Sequence, residues 1–146
     1  MRLDQMRVDL SPIENESARN IVLLAMEVSC NVLGIDPLVG FLITEEDAEA
    51  EAGVLQQGKS VAYIIEIKKS VLEGDEANLV RKIAHEMTHI MQYENDYLCF
   101  GAHEEAIVYK GELYNWEHDG EYWLAPWEIE ARGMELGIWW YYVENT

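Results

Sequence analysis

The chain has 146 residues, the size of one ordinary domain, and its 49% hydrophobic content is enough to bury a core, which excludes wholesale disorder. Ten Lys and Arg against 28 Asp and Glu leave a formal charge of −18. Such a field repels phosphate backbones and anionic lipid, so direct contact with nucleic acid or membrane is not expected. The two cysteines, Cys30 and Cys99, lie far apart without a CxxC and form no disulfide framework. With no apolar leader and no membrane-spanning run, the expectation is a soluble cytoplasmic protein, in the host cytoplasm if the chain is viral.

No repeat or Pro/Gly/Ser linker divides the chain, so residues 1–146 are read as one domain. Ser11-Pro12 reads as a helix cap followed by Pro at the first helical position. Ile13, Ile21, Leu24, Ala25, Val28 and Val32 then recur at helical spacing until Gly34, which predicts a helix over about 12–33. Leu38 to Thr44 reads as a short strand, and Glu45 to Glu51 as a solvated acidic turn or short helix rather than a Ca²⁺ loop. The β-branched run Val61 to Ile67 predicts a strand. A second helix is predicted over about 76–93. Ala106 to Tyr109 and Glu112 to Trp116 predict two strands around a Lys110-Gly111 turn. Pro126 opens a last helix that reaches about residue 142. Helix, strands, helix, hairpin and helix together define a small α+β domain with a short mixed sheet.

The chemistry concentrates at His85-Glu86-Met87-Thr88-His89, an HExxH motif. Residues four apart on a helix stand one above the other, so two imidazoles so placed can share one tetrahedral Zn²⁺. At about 100° per residue, Leu79, Val80, Ile83, Ala84, Met87, Ile90 and Met91 fill one arc. His85 and His89 lie opposite it, with Asn78, Lys82 and Gln92 as neighbours. A hydrolytic zinc site takes a third protein ligand and keeps a fourth position for solvent. The candidates are His103, His118, Glu128 and Glu130. The two glutamates project about 200° apart on a helix, so one of them alone can face the metal, and spacing does not choose between them.

HExxH followed by a hairpin and the Pro126-Trp-Glu-Ile-Glu-Ala131 helix resembles the gluzincin class of zinc metallopeptidases, most nearly the small metallopeptidase-like proteins of phages and bacteria. The likeness spans about residues 60–135. By position, it implies metal ligands His85, His89 and Glu128, with Glu130 as the second choice, and a peptide or protein as substrate. It also implies that Glu86 takes a proton from the zinc-bound water and delivers it to the leaving amine. A further donor for the oxyanion is sought among His103, His118, Tyr109 and Tyr122. By analogy, strand 61–67 lines the cleft and offers its edge to substrate backbone. Arg132 stands where thermolysin-like chains carry an acid, which leaves the carboxylate that orients a ligating imidazole unassigned.

Two other readings compete. The acidic surface suits a non-enzymatic inhibitor that mimics nucleic acid and keeps a structural zinc; a closed site completed by His103 or His118 suits metal storage. The aromatics crowded after residue 92 and Met26, Met87, Met91 and Met134 read as core, and Cys30 as a packed thiol. Gly133 and Gly137 are expected to let another element approach closely.

Overall fold

A computed structural model describes residues 8–45, 52–57, 62–100, 106–115 and 125–146. The chain is an α+β fold of helices, a four-stranded mixed sheet and a three-stranded antiparallel sheet. Strand β1 (Val8–Asp9) leads into helix α1 (Glu16–Leu33), followed by strands β2 (Leu38–Thr44), β3 (Ala52–Gln57) and β4 (Ala62–Lys68). A short helix α2 (Lys69–Leu72) precedes the long helix α3 (Glu76–Glu94). Strands β5 (Leu98–Phe100), β6 (Ala106–Tyr109) and β7 (Glu112–Asn115) follow, and helix α4 (Pro126–Glu144) ends the fold.

The first helix starts four residues later than the Ser11-Pro12 signal predicts. Asn15 is its cap, accepting the Ala18 N–H at 3.0 Å, while Ser11 spends its hydroxyl on Asp9 Oδ1 at 2.7 Å. Pro12 lies in the turn that closes when Ile13 N–H bonds Leu10 O, and this turn buries Ile13 beneath the helix start. The burial of Ile13 in that turn moves the helix start from Ser11 to Asn15. At the other end Gly34 takes the left-handed φ of 70° and donates its N–H to Cys30 O, the glycine stop that the sequence predicts.

The larger sheet has the order β1-β2-β4-β3, with β1, β2 and β4 parallel and β3 antiparallel to β4. Tyr63, Ile65 and Ile67 of β4 point into the core at the period of two expected of a strand. They meet Val22, Ala25 and Met26 of α1 and Val80, Ile83 and Met87 of α3 in one apolar cluster. Every residue of the predicted apolar arc of α3 is buried there. Cys30 is buried in the same cluster, and burial first and then the Asp36 charge push its thiol up to about 12, which leaves it inert.

Three expectations change at this level. β4 is flanked on both sides by β2 and β3, so the edge strand on its side of the sheet is β3, a strand the sequence reading did not predict. Its residues Ala52-Gly53-Val54 carry one β-branched side chain, too weak a signal to see. Gly133 and Gly137 face open space, and a Cβ at either would meet nothing within 4 Å. The aromatic tail divides: Trp127 and Tyr142 are buried, Trp139 packs on the core, and Trp140 and Tyr141 are exposed. Residues 46–51, Val61, His103, Trp116, His118, Tyr122 and Trp123 lie outside the described residues.

α4 runs antiparallel to α3 and covers its polar side. Tyr142 OH donates to Glu76 Oε2 at 2.6 Å at one end, and Gln92 Nε2 donates to Trp127 O at 3.0 Å at the other. The β6–β7 hairpin turns on Lys110 and Gly111, both at positive φ (51° and 84°), as a two-residue turn requires. Among the described residues, no helix is long and apolar enough to cross a membrane.

Candidate metal centre

α3 and α4 bring His85, His89 and Glu128 together, their ligand atoms all within 4.8 Å of one another. Glu128 sits in the first turn of α4, where the helix dipole favours a carboxylate. Its Oε1 lies 3.1 Å from His85 Nε2 and its Oε2 lies 3.0 Å from His89 Nε2. All three side chains are largely buried, in contrast to the solvated face that a polar arc alone would suggest.

Glu130 projects the other way, as the helical angle requires. It accepts from Gln92 Nε2 (2.9 Å) and Tyr109 OH (2.8 Å), and Lys110 Nζ lies 3.4 Å from its other oxygen. Tyr109 therefore has its hydroxyl committed outside the site. Of the two glutamates, Glu128 faces the imidazoles.

The geometry also fixes the imidazole tautomers. Gln92 gives its amide NH₂ to Trp127 O and Glu130 Oε1, so its carbonyl oxygen is the atom 2.8 Å from His89 Nδ1. That oxygen can only accept, so Nδ1 of His89 carries a proton. His85 Nδ1 faces Glu135 Oε1 at 3.4 Å, again a pure acceptor, while Arg81 Nε holds the other Glu135 oxygen at 3.4 Å. Both rings thus turn Nε2 towards Glu128. Glu135 and Gln92 supply the orienting groups that the sequence reading left unassigned. A signal existed for each: Glu135 lies seven residues after Glu128, two turns along the same stripe, and Gln92 lies three after His89.

Nε2 of each ring faces an acceptor, so something positive must lie between. In the metal-free protein that charge is protonic. Burial opposes it, but the hydrogen bonds to Glu128 and Glu135 and the Glu86 charge raise the His85 pKa to about 9, and Glu128 raises that of His89. Burial likewise works against the Glu128 carboxylate, yet the His85 and His89 hydrogen bonds hold it down to about 2. A divalent ion fits the same donor set. Ligand atoms bonded to zinc at about 2.0–2.1 Å stand about 3.3 Å apart, close to the two carboxylate–imidazole separations.

This competition sets a pH signature. A histidine raised in the folded state stabilises fully below its unfolded pKa of 6.5 and loses that contribution as pH climbs through about 9. Glu128 contributes above 4.5 and fades as pH falls towards about 2. For the metal-free protein, this cluster is thus most stabilising between 4.5 and 6.5. A zinc ion taken up by this donor set near neutrality would have to displace imidazole protons, so calorimetry in buffers of differing ionisation enthalpy is expected to register about one to two protons released per ion. Zinc binding without proton release would contradict the protonated pair.

A cleft of about 210 Å³ opens beside this centre. Glu86, His89, Tyr93 and Glu128 form one wall, Ala52 to Val54 of edge strand β3 another, and Leu98, Ile107 and Trp127 an apolar third. Glu86 is 6% exposed. Burial raises its pKa against the opposing charges of His89 and His85, the shift that suits a carboxylate meant to take a proton. Comparison with protein families, with curated proteins and with solved structures finds no match to this chain.

Proposed function

We propose that this protein is a zinc-dependent hydrolase of peptide bonds, a metallopeptidase of the gluzincin type. The observation that carries the reading is the convergence of His85, His89 and Glu128 from two helices, with Glu86 in the adjoining cleft. Among the described residues three ligands converge, and a centre with three protein ligands keeps a position for solvent, unlike a closed structural one. When bound there, zinc supplies a Lewis acid and a solvent molecule acidic enough to react near neutral pH.

The chain's own residues do the rest. Glu135 and Gln92 hold the two rings in the tautomer whose Nε2 lone pairs face inward. Glu86 accepts the proton of the water whose oxygen forms the new C–O bond. It returns that proton to the nitrogen as the C–N bond breaks, so the products are a carboxylic acid and an amine. Among the described residues, β3 has no partner on its outer edge, and its free N–H and C=O groups suit an extended peptide laid along the cleft.

The test is a mixed peptide library digested by the zinc-loaded protein and read by mass spectrometry. New termini are expected with zinc, none after chelation, and the same set once zinc is restored. Full zinc occupancy with no cleavage would refute the peptidase reading.

A further inference from the structure

A carbonyl attacked by water develops negative charge on its oxygen, and a fixed hydrogen-bond donor at that point is worth about 100-fold or more in rate. Among the described residues, the cleft has two side chains able to supply one: the Tyr93 hydroxyl, on the wall that carries Glu86, and the Trp127 indole N–H, on another wall. Val54, Leu98 and Ile107 have no polar atoms, Glu86 and Glu128 are acceptors, and His89 has both ring nitrogens engaged. Tyr109, a candidate from sequence, gives its hydroxyl to Glu130.

We propose that Tyr93 is a catalytic residue of this site, its hydroxyl donating a hydrogen bond to the oxyanion formed on the scissile carbonyl, an assignment that rests on the hydrolytic reading above. Tyr93 follows His89 by four residues, so it stands on the same side of α3. Helical side chains lean towards the N-terminus, which lays the Tyr93 ring back over the turn that carries His89. The ring wedges between the two apolar clusters of the molecule. It stacks on Tyr63 with centroids 6.2 Å apart, and Tyr63 is itself held by its hydroxyl on Glu94 at 2.8 Å. Among the described residues the Tyr93 hydroxyl makes no hydrogen bond, which leaves its proton for a ligand in the cleft. Burial, then the charges of Glu128 and Glu86, push its pKa up, so it stays protonated and able to donate.

Tyr93→Phe keeps the ring and removes the donor, and it is tested on the zinc-loaded protein in two ways. In turnover, kcat is expected to fall about 100-fold with KM changed less than about threefold. In binding, a phosphonamidate peptide, whose second tetrahedral oxygen imitates the oxyanion, is expected to lose about 10- to 100-fold in affinity. A mercaptoacyl peptide, which lacks that oxygen, is expected to bind the variant as it binds the parent. Equal weakening of both probes would assign Tyr93 a structural part and overturn the proposal, as would no change in either. If the parent protein neither cleaves peptides nor binds either probe, the hydrolytic reading falls first and the role of Tyr93 falls with it.

Discussion

Glu86→Gln is expected to leave zinc bound with unchanged stoichiometry while kcat falls by about 100- to 10,000-fold. Glutamine matches glutamate in shape, so the 6% exposed site accepts it without a cavity. What disappears is, among the described residues, the one buried carboxylate of the cleft that is not paired with an imidazole, and with it the acceptor for the water proton. The substitution also removes a charge that burial disfavours. The metal-free variant is therefore expected to melt at or above the temperature of the parent near neutral pH, where that charge costs most. Steady-state kinetics, metal analysis and a thermal scan on one preparation separate these effects. Undiminished turnover in a clean preparation would remove Glu86 from the mechanism.

Glu128→Gln is expected to do the opposite, striking the metal and the fold together. Loss of a ligating carboxylate should weaken zinc by more than the about 10- to 100-fold typical of an orienting partner. The metal-free fold suffers as well, because Glu128 is the counter-charge of two protonated, largely buried imidazoles whose ring centroids stand 4.9 Å apart. Breaking a buried ionic cluster by removing one partner costs about 3–5 kcal/mol. For a chain of this size, that corresponds to a fall of about 10 °C or more in melting temperature. The loss should be greatest between pH 4.5 and 6.5, where carboxylate and imidazoles are all charged, and smaller above about 9. Glu130→Gln is the matched control: its carboxylate serves Gln92, Tyr109 and Lys110, so zinc should be retained far better. An equal loss of zinc in both variants would contradict the assignment of Glu128.

The parts of this molecule visible in the sequence are those where one strong periodic signal meets no rival. The apolar arc of α3, the glycine stop of α1, the two-residue hairpin turn and the Pro126 start of α4 all belong to this group. The errors fall where tertiary packing or strand pairing decides. Ser11-Pro12 reads as the cap, but the packing of Ile13 moves that role to Asn15. The edge strand β3 owes its conformation to pairing with β4 rather than to β propensity, so its sequence does not announce it.

The centre divides in the same way. HExxH sets two imidazoles and the acid between them by spacing along one helix, which the sequence carries in full. Which glutamate joins the two imidazoles depends on the rotation of α4 about its own axis against α3. Glu128 and Glu130 are equivalent until Tyr142–Glu76 and Gln92–Trp127 fix that rotation. Gln92 links three of these elements through one amide, touching His89, α4 and, through Glu130, the Tyr109 strand. Roles of this kind are set by contacts between elements distant in sequence, and local pattern cannot reach them.

X-ray absorption at the zinc edge, on protein loaded with one equivalent of metal, puts the shared site to its most direct trial. Two imidazole nitrogens with light oxygen donors at about 2.0–2.1 Å are expected, and the imidazole contribution should fall to at most one ring in His85→Ala. A zinc ion held without imidazole, or a spectrum unchanged by that substitution, would contradict a centre built from His85, His89 and Glu128.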